Sequence, residues 1–439
     1  MQIFQQTLKQ SLEFRGIGVH SGAETILTLR PAPADHGIIF IRRDAAGAES
    51  RIAAVSVNSR PADLCTALAA SDAPAALRVE MVEHLMAALA GCGVDNAVAE
   101  LSAAEVPVLD GSASAYAAAF QRAGLARQSR KRRYLRVLKP VRVRAAKGDG
   151  YAEFLPGAAG DLCPAGPEIA SIINRINEEL LVPVSMEGLQ AVLGAGRLVS
   201  AAGKATGAGR AQKAAKAAIA ALPQGKAALQ KAKALLISVN GGRDMGLKEI
   251  NAAANLVQEA APAAADIILA AGIDAKLDGF MRLSLIAAEA GEAGAPQAAP
   301  LQLFDIEIDF TARAPQTIGR QRLGFALTPQ FFSENLAPFC TFGFYAEAEQ
   351  LRAAGMARGS SLENSVVLDA AGAVMNPARL GRADGFVRHK ALDAVGDTAL
   401  LGAPFLGLFR SFKGGHRLNG AVVRALLADK TAWEIAELA

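Results

Sequence analysis

The chain has 439 residues, which at roughly 150 residues per domain points to about three domains. Hydrophobic residues make up 51% and charged residues 20%, with a mean hydropathy of +0.23, a balance that excludes a predominantly disordered or collagenous chain. The formal charge is +4 and aromatic residues are 5%, so neither a basic surface nor stacking platforms argue for a nucleic-acid partner.

No apolar run reaches the ~18 residues of a spanning helix, and Met1–Phe14 lacks the basic and apolar regions of a secretory signal. A cytoplasmic chain is expected, with peripheral membrane contact left open. The four cysteines, Cys65, Cys92, Cys163 and Cys340, are dispersed without a C-x-x-C pair, the pattern of free thiols in a reducing compartment.

Residues 1–127 mix alternating stretches such as Glu24–Leu29 with alanine-rich helical ones, including the run Ala75–Ala90, and read as α+β. The basic run Arg127–Arg133 is an anion-binding patch or, as the charge pattern favours, a solvated linker. Residues 128–158 then open a second α+β unit, with period-two strand patterns at Tyr134–Val137 and Val141–Arg144. Residues 159–300 turn rich in Ala, Gly and Lys and carry a strong helix former at Ala211–Ala221. Alternation resumes at Leu301–Ile308, and residues 301–439 complete the second unit. The middle segment is therefore an insertion between two strands, Tyr151–Leu155 and Leu303–Ile308, that a short hairpin could otherwise join.

Four pieces of sequence carry chemistry. In Phe386–Asp397 helical spacing puts His389, Asp393 and Asp397 on one stripe, with Leu392, Val395 and Ala399 toward a core. Such a stripe is a surface or capping pair, or two ligands of a catalytic zinc, which takes three His and Asp/Glu ligands and leaves a fourth position open. In Val82-Glu83-His84-Leu85, His84 offers a third ligand and Glu83 a general base, or the two are a half-buried histidine and a surface glutamate. In Lys413–Asn419 the glycines before His416 suit a tight turn, bare or presenting an acid or a cation. In Thr341-Phe342-Gly343-Phe344 the Thr341 hydroxyl stabilises an oxyanion or simply ends a strand.

Taken together with Gly16-Ile17-Gly18-Val19-His20-Ser21-Gly22 and Val108-Leu109-Asp110-Gly111-Ser112, these motifs, in this order, resemble the UDP-3-O-acyl-N-acetylglucosamine deacetylase family of lipid A biosynthesis. The resemblance covers residues 1 to about 158 and 301–436. It implies two α+β domains with helices sandwiched between their sheets, and a zinc amidase in which His84, His389 and Asp393 hold Zn2+ and Glu83 is the base for the attacking water. It also implies Thr341 at the oxyanion, His416 as acid or cation, Asp397 orienting His416, and Lys390 and Phe342 at the phosphates and sugar of a UDP-linked acylated glucosamine. The chain departs from the family at Cys340, where an arginine is usual, at Glu80-Met81 before the Val82 motif, at Gly385, and at Gly414 and Arg417 around His416.

Within the insertion, Ala234–Gly242, Leu247–Asn251 with its alanine-rich helix, and Asp266–Asp274 resemble the C-terminal domain of the tubulin-like cell-division GTPase FtsZ. The nucleotide-binding half is absent, Gly203–Gly207 does not fit a phosphate-binding loop, and Pro183–Gly188 lacks the aspartates of that family's acidic loop. The resemblance implies an inserted α/β module that binds no GTP and serves protein partners at most. Two readings follow for the whole chain: a zinc deacetylase, or a non-catalytic scaffold built from deacetylase-like and cell-division-like modules.

Overall fold

The computed structural model describes residues 2–43, 49–60, 64–70, 77–156, 197–273, 277–289 and 302–437; Cys163 and Pro183–Gly188 fall outside them. Within that range the chain is α+β, a layered host with a separate α/β unit between its strands. Alternating side chains build the first sheet. In Glu24–Pro31 the residues Thr25, Leu27 and Leu29 are buried while their neighbours are more open, the period-two pattern of a strand with one face on a core. The five strands run in the spatial order Leu12–Ile17, Glu24–Pro31, Ala97–Leu101, Ile38–Arg43, Glu49–Ala53.

The second sheet has seven strands, among them Arg133–Val137 and Val141–Arg144. Its inner face is aromatic: Phe304 stacks on Phe325 with centroids 5.0 Å apart, and Phe154 meets Phe409 edge-on at 5.2 Å. One continuous core joins this face to Leu27, Leu29 and Phe40 of the first sheet through residues of the helices Glu83–Cys92, Ser114–Ala123 and Gly385–Ala399. The Gly385–Ala399 helix is buried nearly all round, as a helix enclosed between layers must be.

Residues 197–289 form a unit with its own core, centred on Ala214, Ala218, Leu235 and Leu283. Its four strands lie in the order Arg197–Thr206, Phe280–Glu289, Ala232–Gly241, Asp266–Ile273, and the last two are parallel, with the Leu247–Gln258 helix in the crossover between them. Gly203 sits in a strand where a Cβ would overlap the backbone of the Arg210–Ala221 helix. Close packing of helix on strand explains this glycine, and the segment is no phosphate-binding loop.

Three expectations change. The basic run is no free linker: Leu125–Lys131 is a strand antiparallel to Phe4–Leu8. Arg127 lies 3.7 Å above the Phe4 ring, and Arg130 and Arg132 pair with Asp35 and Asp95 at 2.8 and 2.6 Å, so its charges are spent on neighbouring elements. The helix expected over Ala75–Ala90 starts only at Glu83. Val79 and Glu80 are held by bridges to Leu68 and Glu105, and Met81 has a positive φ of 59°, which breaks helical propagation. Cys65, Cys92 and Cys340 are free thiols, as expected, and all are buried.

The third change concerns the insertion point. Tyr151–Pro156 and Gln302–Asp309 are not hairpin neighbours, because both pair with Phe405–Phe412, one antiparallel and one parallel. Pro156 and Gln302 flank Gly407 from opposite sides, about 10 Å apart at two strand spacings. A two-residue turn placed directly between Pro156 and Gln302 reaches that distance only fully extended, at roughly 10–11 Å, and would also have to pass around the Phe405–Phe412 strand, whereas eight Gly/Ser residues cross it with slack. Replacing residues 157–301 by the longer linker is therefore expected to leave a cooperatively unfolding host, and the two-residue version to lower its Tm; calorimetry of both variants checks this, and equal Tm values would contradict the register argument.

Candidate metal centre and cleft

Two buried helices position the site. The first, Glu83–Cys92, opens with an acidic residue in its first turn, favourable against the helix dipole, and ends at Gly93 with a left-handed φ of 81°, the usual C-terminal stop. In the second, Gly385–Ala399, the spacing of His389, Asp393 and Asp397 aligns them on one face, and all three are at most 3% exposed. A surface or capping pair is thereby ruled out for this stripe. Arg388, 1% exposed, anchors its first turn by bonding Asp384 at 2.9 Å and the Asn335 carbonyl at 3.1 Å.

The helices meet backbone to backbone. A Cβ on Gly396 would overlap the Glu83 carbonyl oxygen, and one on Gly91 would enter the Phe332 ring. Hydrogen at Gly396 is what allows His84 to reach the second helix, while Gly91 makes room for Phe332 of the Pro329–Asn335 helix. His84 Nε2 lies 3.2 Å from His389 Nε2, and both nitrogens lie 3.4 Å from Asp393 Oδ1.

Those separations fit a metal. Ligands at about 2.1 Å in tetrahedral directions stand about 3.4 Å apart, and the three atoms here form such a triangle. Asp393 Oδ1 is buried without a hydrogen-bond partner, a costly state for a carboxylate oxygen unless a cation meets it. His84, His389 and Asp393 each offer one ligand atom, and together they could hold a metal ion.

The cleft has a volume of about 250 Å³ and brings together Glu83, His84, Thr341, Phe342, His389, Lys390, Asp393 and His416. Asp397 stands behind His416, with its carboxylate 3.0 Å from Nδ1. His416 is the first residue of the His416–Ala428 helix and not part of a loop, because Gly415 already serves as the N-cap. Lys390 bonds Asp393 Oδ2 at 2.9 Å and lies 5.9 Å from the Phe342 ring.

Charges at the site are mutually compensating. Burial pushes the Glu83 carboxyl above its ordinary range, against the pull of His416 and His84. Burial acts on Asp393 in the same sense but is outweighed by His389, Lys390 and His416, which hold it well below the usual range. His389 is kept neutral chiefly by burial. For His416 burial works downward, yet Asp397, Asp393 and Glu83 together raise it to about 10, so it is a cation at neutral pH in this field.

Two supporting residues escaped the sequence reading. Thr66 donates its backbone N–H to Glu83 Oε2 at 2.9 Å and its hydroxyl to Asp397 at 2.5 Å. Asn419 donates to the other oxygen of Asp397 at 2.9 Å; its place one turn after His416 was the available signal. At the departures, Gly385 is required because a Cβ would crowd the Leu380 carbonyl, and the Arg379 guanidinium stands beside the Cys340 thiol, so a cation is present there after all.

Among the described residues no helix is long and apolar enough to cross a membrane. The family model described as UDP-3-O-acyl N-acetylglycosamine deacetylase matches residues 5–163 and 274–428, and that of the FtsZ family, C-terminal domain, matches residues 196–291. Proteins of Brucella ovis and Brucella melitensis biotype 2, each named UDP-3-O-acyl-N-acetylglucosamine deacetylase, are 30% identical to this chain over 437 residues, covering 100% of both sequences.

Gly396→Ala is expected to force the two helices apart at Glu83, destabilising by about 1–3 kcal/mol, as overpacking does, and weakening metal retention although no ligand is touched. Titration with a metal chelator compares the variant with the parent; unchanged retention would show that the ligand triangle does not depend on this contact.

Proposed function

Because the chain belongs to the UDP-3-O-acyl-N-acetylglucosamine deacetylase family, we propose that it hydrolyses the N-acetyl group of UDP-3-O-acyl-N-acetylglucosamine in lipid A biosynthesis, on the cytoplasmic side, as a zinc amidase. The observation that carries this reading is the triangle of His84, His389 and Asp393 next to the buried Glu83. Two imidazole nitrogens and one carboxylate oxygen are the donor set of a catalytic zinc site. Bound there, Zn2+ supplies the Lewis acidity that polarises the amide carbonyl and makes a water nucleophilic at neutral pH.

The protein residues do the rest. Glu83 accepts the proton of the attacking water, and its burial-raised basicity brings it nearer neutral pH, where a general base works best. The Thr341 hydroxyl and the His416 cation face the charge that develops on the carbonyl oxygen. His416, held by Asp397, then gives its Nε2 proton to the departing amine, so that acetate and a free glucosamine amine result. Lys390 and Phe342 lie on the same cleft wall and serve the phosphates and sugar of the substrate. The inserted unit is a protein-binding module without GTPase activity in this reading, since residues 196–291 match only the C-terminal domain of the FtsZ family.

Purified protein under zinc-replete conditions is expected to carry about one zinc per chain, and His389→Ala to lose it. Elemental analysis decides the point, and an intact chain without stoichiometric metal would sink the enzymatic reading in favour of a scaffold. Glu83→Gln is nearly isosteric but accepts no proton, so it is expected to keep the metal while turnover drops by ~10²- to 10⁴-fold. Undiminished deacetylation by that variant would assign the base elsewhere.

A further inference from the structure

We propose that Thr66 is a positioning residue that decides which oxygen of Glu83 and which nitrogen of His416 face the cleft. The inference rests on the deacetylase reading for its kinetic consequence but on hydrogen-bond geometry for its substance. Thr66 is 6% exposed and lies in the short stretch before the strand Ala67–Leu68. It makes three contacts to two helices at once: its carbonyl accepts from Val82 N at 3.2 Å, its N–H donates to Glu83 Oε2 at 2.9 Å, and its hydroxyl donates to Asp397 Oδ1 at 2.5 Å.

Donor counting turns these contacts into an assignment. A threonine hydroxyl has one hydrogen, and here it is committed to Asp397. The Thr66 oxygen lies 3.2 Å from His416 Nδ1 and can therefore only accept from it. Asp397 Oδ1 and Oδ2, at 3.1 and 3.0 Å from the same nitrogen, are acceptors as well. Among the described residues every polar atom facing Nδ1 is thus an acceptor, so the proton resides on Nδ1 and Nε2 is the nitrogen that exchanges a proton with the cleft. Hydrogen bonding at one ring nitrogen setting the role of the other is a general property of histidine.

The amide bond has the matching effect on Glu83. Oε2 is occupied by the Thr66 N–H, which leaves Oε1, the oxygen 3.9 Å from His416 Nε2, to take the proton of water. One residue thereby registers the base and the acid against each other across two helices. Removing such an outer partner characteristically costs about 10- to 100-fold in activity.

The experiment compares Thr66→Val, which keeps the shape and the backbone amide but lacks the hydroxyl, with Thr66→Ser, which restores it, and with Thr66→Ala in case the valine variant does not fold. The expected result is a kcat lower by about 10- to 100-fold for the valine and alanine variants, KM and zinc content within about twofold of the parent, and recovery of kcat in the serine variant. Nitrogen-edited NMR of the zinc-loaded protein is expected to show a hydrogen-bonded Nδ1 proton of His416 in the parent and serine forms that exchanges with solvent faster in the other two. A valine or alanine variant with parental kcat, or a serine variant as impaired as they are, would overturn the proposal while leaving the deacetylase reading intact. Absence of turnover in the parent would refute that reading instead, and the ring-proton comparison would still test Thr66: an Nδ1 proton equally protected in all forms overturns it.

Discussion

The contact on which the site depends is the apposition of Gly396 with the Glu83 carbonyl, where two buried helices touch through their backbones. Side chains normally hold packed helices 8–10 Å apart; a missing Cβ removes that spacer at one point. His84 comes from the first helix while His389 and Asp393 come from the second, so the ligand atoms can converge to 3.2–3.4 Å only if the helices are this close. The flanking small residues Ala87, Ala88 and Gly91, all buried, extend the same tolerance along the first helix toward Phe332. The cleft is thus a consequence of packing, and the aromatic face of the seven-stranded sheet is the wall that keeps the second helix in place.

Bringing the helices together buries Glu83, Asp393, Asp397, His389 and, on the same helix, Arg388. Isolated burial of any one of these charges would be prohibitive, and the arrangement survives because most are partnered. Arg388 is satisfied by Asp384 and Asn335, Asp397 by Thr66, His416 and Asn419, and Asp393 Oδ2 by Lys390. The atoms left without a hydrogen-bond partner in this network are Asp393 Oδ1, at one corner of the ligand triangle, His389 Nδ1, on the far side of a ligand ring, and Asn419 Oδ1. Buried polar networks of this kind are strong when complete and costly when interrupted, and a cation in the triangle would meet the deficit at Asp393 Oδ1.

The inserted unit is compatible with this arrangement because it enters at strand ends. Pro156 and Gln302 bracket Gly407 at one end of the sheet, and the residues of the ligand triangle lie on other elements. Among the described residues the insert's core, built on Ala214, Leu235 and Leu283, shares no residue with the host core. Loop-closure cost rises only slowly with length, so a folded insert at such a point leaves the packing of the helix pair to the host.

Local periodicity made much of this protein legible without coordinates. The alternation of Glu24–Leu29, the helical spacing of His389, Asp393 and Asp397, and the alanine-rich Ala211–Ala221 helix are short-range patterns, and each appears in the structure because burial of one face follows directly from residue order. The start of the first helix was not legible, since bridges from Val79 to Leu68 and from Glu80 to Glu105 hold that stretch extended against its helical composition. Nor was the separation of Tyr151–Pro156 from Gln302–Asp309, because the strand between them, Phe405–Phe412, comes about a hundred residues later. Thr66 carries no motif at all: its hydroxyl and amide acquire meaning from partners 331 and 17 residues away. Residue order by itself determined which side chains could be ligands, base and acid; the meeting of two helices at a glycine decided that they face one another, because atom-to-atom distances across a core are set by what packs between the elements and not by spacing along the chain.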